Sequence, residues 1–240
     1  METAMIKQDR IPAVVGDEIR FLFEELSLEA LGSHMMFGDV DVQSVGTACN
    51  FILKANKLLP RNQPLSMYIN SLGGSCYDGF ALIDLMEASR IPIYTVGMGN
   101  IVSMGVLIMS AGAKGHRVMT RNTQVMAHQF YGGSEGKFHE LLEAHKAELY
   151  LKHQFTQHFL RHTKMSEKQI NEIMFGPSDR WLSPSECKKL GIIDHVVDEL
   201  PNFRSLPEGS AVARKPRAPA KKAAPQPLVE KTKTDPRKKR

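Results

Sequence analysis

Between residues 65 and 127 the sequence alternates short apolar strands with short helices, and this alternation constrains the fold more than any other feature. Leu65–Ile69 is apolar at every second position, as expected of a strand, and Tyr77–Ala88 has apolar residues at helical spacing. The segments that continue the pattern are strand Ile91–Val96, helix Ser103–Ala111, and strands His116–Met119 and Gln124–Ala127. Strands separated by helices form β-α-β units, so the sequence predicts an α/β fold with a largely parallel sheet covered by helices.

A long amphipathic helix is predicted next, at Glu135–His162. At 1.5 Å per residue it would extend roughly 40 Å, which is long for one domain of this size. We therefore expect the helix to project and contact a neighbouring subunit, although a bent helix lying on the core is an alternative. Capping-box patterns that begin at Ser166 and Ser183 predict two shorter helices after it.

The composition of the chain changes near Pro201. Residues 203–240 contain 12 Lys or Arg and 3 Asp or Glu, a net charge of +9, which leaves −4 on the rest of a chain whose total is +5. Few large apolar residues occur there, so we predict a disordered basic tail at 203–240. The tail is expected either to bind nucleic acid or another acidic surface, or to act as a solubilising linker, since charge alone does not choose between these roles.

The sequence contains no feature that predicts secretion or membrane insertion. Residues 1–20 carry seven charged side chains without an apolar core of signal-peptide length, and the most apolar stretches of the chain are too short to span a bilayer. Only three cysteines occur, which argues against a disulfide framework and for a reducing compartment. We expect a soluble cytoplasmic protein.

Two predicted strand-to-helix junctions carry residues suited to catalysis. Gly73 and Gly74 follow a strand, where paired glycines leave backbone N–H groups free to bind an oxyanion. At the second junction Ser103 begins a helix beside the N–H of Met104. A serine there is also a favoured helix N-cap, so each junction alone is a weak signal. The Gly-x-Ser-x-Gly elbow of α/β-hydrolases is absent because Ile101 stands at its first glycine.

His128 ends a predicted strand, in front of a glycine-rich loop. Strand ends of α/β sheets hold functional groups, and an imidazole can take the proton of a serine and pass it to a leaving amine. A histidine satisfied by local hydrogen bonds is the alternative. A carboxylate should orient the imidazole, but the residues alone do not choose it. The candidates are Asp78, Asp84, Asp194 and Asp179, the last of which lies in a loop between two predicted helices.

Several histidines of the long helix raise the question of a metal site. His158 and His162 have the i,i+4 spacing of two ligands on one helix face, but no third ligand is evident in the sequence. The segment from His139 to Glu143 lacks the second histidine of the His-Glu-x-x-His pattern. We predict no metal and no cofactor in this chain.

Six short segments stand out between Pro64 and Val197. They are Tyr68–Gly74, Val102–Gly105, Ala111–Gly115, Met126–Gln129, Asp179–Ser183 and Leu190–Asp194. Together they resemble the proteolytic subunit of the Clp protease, and they occur in the order of that family. The separations of 29 residues from Gly74 to Ser103 and of 25 from Ser103 to His128 also resemble the family. Six matches in order make coincidence implausible.

The resemblance implies a role for each site residue. Ser103 would be the nucleophile, His128 the general base and Asp179 the residue that orients the base. The N–H groups of Gly74 and Met104 would form the oxyanion hole. The implied architecture is a ClpP/crotonase-like α/β fold of repeated β-β-α units, in which the long helix projects as the handle that meshes two rings.

The resemblance also implies an assembly and partners. The expected protein is a serine endopeptidase subunit of a self-compartmentalising protease, a homo-oligomer of two stacked heptameric rings that cleaves polypeptides through an acyl-enzyme on Ser103. An AAA+ unfoldase would use ATP to feed this tetradecamer, while the peptidase subunit binds no nucleotide. A catalytically silent ring-forming subunit and a crotonase-like acyl-CoA enzyme are the alternatives.

On this basis the sequence divides into three parts. Residues 1–59 match the family poorly, residues 60–202 form the ClpP-like peptidase domain, whose core is expected to include part of 20–59, and residues 203–240 form the tail. Two residues beside the expected cleft depart from the family pattern. Leu72 and Phe130 each stand where the family has proline.

Overall fold

The computed structural model describes residues 27–200. Within that range the chain forms seven strands and six helices. They are β1 (Ser33–Phe37), α1 (Val42–Leu58), β2 (Leu65–Ser71), α2 (Cys76–Ala88), β3 (Ile93–Val102), α3 (Met104–Ser110), β4 (Arg117–Thr120), β5 (Gln124–Ala127), α4 (Phe138–His162), α5 (Glu167–Met174), β6 (Arg180–Leu182), α6 (Pro184–Leu190) and β7 (His195–Val197). The predicted basic tail at 203–240 lies outside the described residues.

The strands form one sheet in the order β1-β2-β3-β4-β7, and all of these neighbours are parallel. The predicted parallel α/β fold is confirmed. Strands β6 and β7 were not predicted; each has only three residues, too few for an alternating pattern to be detected.

Strand β3 changes partner along its length, and this change places the site. Residues 95–97 pair with β4, whereas residues 100–102 pair with β5, which in turn pairs with β6 in the antiparallel sense. The prediction that this strand ends at Val96 was wrong, because pairing with β5 extends it to Val102. As a result, the C-terminal ends of β3 and β5 lie side by side.

The central strands β2 and β3 lie in the core. The side chains of Leu65, Met67 and Ile69 in β2 are completely buried, and residues 93–97 of β3 are all buried, so both faces of β3 are covered there. Every residue of α3 is buried, so this short helix packs as a rigid element directly after β3. Parallel strands buried on both faces are the expected result of β-α-β crossovers.

The long helix α4 has two distinct halves. No residue from 138 to 150 is buried, whereas Leu151, Phe155 and Phe159 pack into the core. The exposed half still carries large apolar side chains, namely Phe138, Leu141, Leu142, Leu149 and Tyr150. The helix therefore projects, as the resemblance implied, and its free half is apolar enough to contact another protein surface. None of the helices in residues 27–200 is long and apolar enough to cross a membrane.

An ion pair between the buried Arg117 and the partly exposed Asp194 connects the C-terminal segments to the sheet. The Arg117 guanidinium donates to both carboxylate oxygens of Asp194, at 2.9 and 2.7 Å. It also donates to the backbone carbonyls of Ser110 at 3.2 Å and His162 at 2.6 Å, which belong to the C-terminal ends of α3 and α4. Arg117 thus joins β4, two helix ends and the start of β7.

Candidate active site

Ser103 lies between β3 and α3 in a strained backbone conformation. Its φ of 54° makes it the one described non-glycine residue with positive φ, a conformation that costs on the order of 1–3 kcal/mol. The surrounding backbone holds it there, because its N–H donates to the Met126 carbonyl and its carbonyl accepts from Val106 N–H, both at 2.9 Å. Strain of this kind is common where a side chain must be presented to a ligand.

The Ser103 hydroxyl does not cap α3. By contrast Ser75, Ser166 and Ser183 each accept a hydrogen bond from a backbone N–H in the first turn of the helix that follows. The structure therefore removes the alternative in which Ser103 serves only as an N-cap. Its half-buried side chain remains available for another partner.

The Gly73–Gly74 turn packs directly against Ser103. A Cβ atom on Gly73 would lie 2.6 Å from the Ser103 Cβ and 2.9 Å from the Val102 carbonyl oxygen, so only glycine fits. The turn is held from the other side by Val40, whose N–H donates to the Gly73 carbonyl at 2.8 Å and whose carbonyl accepts from Ser75 N–H at 2.7 Å.

Two backbone N–H groups beside Ser103 have no acceptor among the described residues. They are those of Gly74 and Met104, the pair that the resemblance assigned to the oxyanion hole. The neighbouring N–H of Gly73 is occupied, since it donates to the Ser71 hydroxyl at 3.1 Å. Unpaired amides beside a nucleophile are the groups that stabilise a developing oxyanion.

His128 follows β5 and shares one cavity with Ser103 and Gly74. The cavity has a volume of about 570 Å³, and loop residue Tyr131 and Leu151 of α4 also line it. The His128 ring is half-buried and is tilted by 55° against the Tyr131 ring, with centroids 5.4 Å apart. This volume lies in the range of small-molecule and peptide sites.

The two positions that depart from the family pattern also line this cavity. Leu72 follows β2 and Phe130 follows His128, and both side chains contribute to the cavity wall. A leucine and a phenylalanine therefore form part of the surface of this cavity where the resemblance implied proline.

Asp179 is next to the strand that pairs with β5, but it does not line the cavity. The register of β5 and β6 ends with the pair Ala127 and Arg180, which are the chain neighbours of His128 and Asp179. The Asp179 side chain is exposed. Within residues 27–200, no hydrogen bond joins Asp179 to His128 or His128 to Ser103. Catalytic hydrogen bonds of ligand-free enzymes are often long and tighten only when substrate binds.

Among the other carboxylates considered as the orienting group for His128, Asp194 already forms an ion pair with Arg117. Burial by itself would raise the pKa of Asp194, but its hydrogen bonds to Arg117 and the charge of that guanidinium lower the pKa below the ordinary value. Asp84 projects from α2 with an exposed side chain. Of the candidate carboxylates, Asp179 is the one that directly precedes a strand paired with β5, the strand that His128 follows.

A serine on a strand-to-helix turn, an imidazole at the next strand end and unpaired amides around one cavity form the arrangement typical of serine hydrolases. The sequence model of the Clp protease family matches residues 34–200. The chain therefore belongs to the Clp protease family, as a serine-type proteolytic subunit. This result confirms the family, fold and enzyme class predicted from the six segments.

The chain is similar to curated proteins named ATP-dependent Clp protease proteolytic subunit 1. The protein of Prochlorococcus marinus subsp. pastoris is 37% identical over 139 residues, which cover 56% of this chain and 68% of that protein. The protein of Prochlorococcus marinus strain MIT 9312 is 35% identical over 140 residues, covering 58% and 71%. The protein of Salinibacter ruber is 36% identical over 140 residues, covering 58% of each.

The part of the site that sequence reasoning missed is Val40. It belongs to the region assigned to the poorly matched residues 1–59, although the family match begins at residue 34. A local signal was present, because Asp41 and Ser44 form a capping box at the start of α1. The helix that follows has the core spacing of Val45, Ala48, Ile52 and Ala55. Recognising α1 would have predicted a strand before it, but not the contact of Val40 with Gly74.

Proposed function

We propose that this subunit hydrolyses peptide bonds of polypeptides through an acyl-enzyme formed on Ser103. The observation that carries the proposal is the meeting of Ser103, His128 and the unpaired N–H of Gly74 at one cavity. The uncapped hydroxyl of Ser103 adds support, since a serine needed for the helix end would not be free to react.

The proposed reaction has two halves, acylation of Ser103 and hydrolysis of the resulting ester, and the same groups act in both. His128 takes the Ser103 proton as the Oγ atom attacks the peptide carbonyl carbon, and the oxyanion forms beside the N–H groups of Gly74 and Met104. His128 then gives the proton to the leaving amine, which leaves an ester on Ser103. Water hydrolyses the ester with His128 again acting as the base. Asp179 orients the imidazole in both halves.

We further propose that the active form is a homo-oligomer of two stacked heptameric rings, located in the cytoplasm. The exposed apolar half of α4 supports a subunit contact there.

The name of the relatives, which specifies an ATP-dependent protease, supports a partner AAA+ unfoldase that consumes the ATP. The basic residues 203–240 would add contacts to an acidic surface or to nucleic acid.

Replacement of the nucleophile tests the catalytic proposal. Ser103→Ala should abolish hydrolysis of a fluorogenic peptide while the particle keeps its size by sedimentation. Thr47→Ala is a control, because that exposed hydroxyl bonds only to the Gln43 carbonyl of its own helix. A fluorophosphonate probe should label the wild-type protein on the peptide that contains Ser103. Undiminished hydrolysis by Ser103→Ala, or absence of the label, would contradict the proposal, and the second result would favour a silent ring subunit.

A further inference from the structure

A second cluster of functional side chains lies away from the Ser103 cavity, where the C-terminal ends of α2 and α4 meet. It consists of Glu87, His158 and His162, each of which offers one ligand atom within 4.8 Å of those of the other two. None of the three lines the Ser103 cavity. The sequence showed only the His158 and His162 pair, because Glu87 lies on a different helix, far earlier in the chain.

His158 is the buried member of this cluster, and one of its ring nitrogens has no partner. The side chain is completely buried. Its Nε2 atom lies 2.9 Å from the Ser110 Oγ, whereas its Nδ1 atom is the one buried side-chain nitrogen or oxygen of the described residues that lacks a hydrogen bond. Buried polar atoms are nearly always paired, so an unpaired one indicates a missing partner.

The hydrogen bonds around Ser110 favour one tautomer of His158. The Ser110 hydroxyl lies 2.9 Å from the Leu107 carbonyl oxygen and 2.9 Å from His158 Nε2, and when it donates to the carbonyl its oxygen accepts from His158 Nε2–H. In that tautomer the Nδ1 atom carries a lone pair. Burial, followed by the nearby charges of His162 and Arg161, lowers the pKa of His158 well below its ordinary value, which keeps the ring neutral. A neutral imidazole with a free lone pair is the form that binds a metal.

The other two members of the cluster lie next to His158 and next to each other. His162 lies one helical turn after His158, and the two rings stack with centroids 4.5 Å apart. Its Nε2 atom is 2.8 Å from the Glu87 Oε1 atom. The side chains of His162 and Glu87 are 13% and 27% exposed, so the cluster is open to solvent on their side. The Arg161 guanidinium lies 3.4 Å from the Glu87 carboxylate, and metal binding would break this ion pair.

We propose that Glu87, His158 and His162 bind a divalent transition metal ion of the zinc type, with Nδ1 of His158 as the buried ligand. Two imidazoles and one carboxylate are ligands that Zn²⁺ prefers. Zinc–nitrogen bonds of about 2.0–2.1 Å bring tetrahedral ligands to roughly 3.4 Å from each other, so rotation of Glu87 and His162 would close the cluster around the ion. Water would complete the coordination.

Such an ion would join the C-terminal end of α2 to the C-terminal end of α4, in the half of α4 that packs into the core. A ligand that binds the folded state and not the unfolded state also raises thermal stability with its concentration. The binding of zinc and the unfolding temperature should therefore change together.

The test uses the full-length assembled protein, freed of metal by a chelator and titrated with zinc chloride in competition with a chromophoric indicator. The wild-type protein should bind one zinc ion per chain, and its melting temperature should rise with zinc. Glu87→Ala and His162→Ala should each weaken binding by at least about 100-fold and lose the rise. His153→Ala is the matched control, because that exposed histidine of the same helix lies outside the cluster and its loss should change neither quantity.

Cobalt provides an independent readout of the ligands. Co²⁺ added to the metal-free protein should give the visible absorption of a tetrahedral nitrogen–oxygen site, and both cluster variants should lose it. Failure of the wild-type protein to bind zinc at micromolar concentration would overturn the proposal. Wild-type zinc affinity in His162→Ala or Glu87→Ala would overturn it as well, because the ion would then be held by other residues.

Discussion

Gly73 lies so close to Ser103 that a Cβ atom added to the glycine would come within 2.6 Å of the Ser103 Cβ. The contact joins the turn after β2 to the end of β3, and Gly73 itself has a φ of 93° that disfavours any side chain. The strained conformation of Ser103 and the position of the Gly74 amide therefore depend on the same contact.

Gly73→Ala should reduce peptide hydrolysis by at least about 100-fold, because the methyl group must push Ser103 or the turn out of position and even small misplacement of catalytic groups is costly. The measurement is kcat/KM on a fluorogenic peptide, together with the rate of fluorophosphonate labelling. Gly46→Ala is the control. A Cβ atom added to Gly46, which lies within α1, would meet no atom within 4 Å, so alanine should leave activity unchanged and add about 0.5–1 kcal/mol to stability. Equal activity of the two variants would show that the close contact does not position Ser103.

Asp179→Asn should lower kcat by as much as about 10⁴-fold with little change in KM, because an amide cannot hold the imidazole in the required tautomer. Asp84→Asn serves as the control, since Asp84 is an exposed carboxylate on α2 that the backbone register does not connect to His128. Steady-state kinetics on one peptide substrate give kcat and KM for both variants and show whether only Asp179→Asn loses activity. Full activity of Asp179→Asn would mean that another group orients His128.

Asp194→Ala should lower the free energy of unfolding by about 3–5 kcal/mol, because it leaves the buried Arg117 charge without its partner. The matched control is Asp198→Ala, which removes the partner of Arg121 from an ion pair whose two side chains are 72% and 66% exposed. That change should cost less than about 1 kcal/mol. Urea unfolding of both variants measures the difference, and similar losses would show that burial does not govern the strength of the Arg117 pair.

The pH dependence of stability should reveal the buried imidazole of His158. Its pKa is lowered by burial, so the unfolded chain binds a proton below about pH 6.5 that the folded chain does not. The free energy of unfolding should consequently fall as the pH is lowered from about 7.5 to about 5.5, by up to about 1.4 kcal/mol per pH unit for this one group. The measurement, made in the presence of a chelator, compares wild-type protein with His158→Gln, whose side chain does not titrate. An identical pH slope in both proteins would contradict this assignment.

Local patterns were sufficient to predict much of the architecture. Alternation at Leu65–Ile69 and helical spacing at Tyr77–Ala88 correspond to β2 and α2, because each depends only on which face of the element meets the core. The capping boxes at Ser166 and Ser183 likewise begin α5 and α6. The assignment of Ser103, His128 and Asp179 as a triad stays a prediction, which rests on family resemblance and on the cavity and register described above.

What the sequence determined by itself was therefore the α/β class, the order of most elements, the family and the candidate nucleophile, since these follow from spacing over a few residues and from motifs in a fixed order. Tertiary structure decided which distant groups meet. Strand β3 changes partner, so that His128 and Ser103 line one cavity, and Val40 forms hydrogen bonds on both sides of Gly74. Arg117 forms an ion pair with Asp194, and Glu87 lies in one cluster with His158. The reason is physical: periodicity reports which face of an element is buried, whereas a contact between distant residues depends on how all the elements pack together.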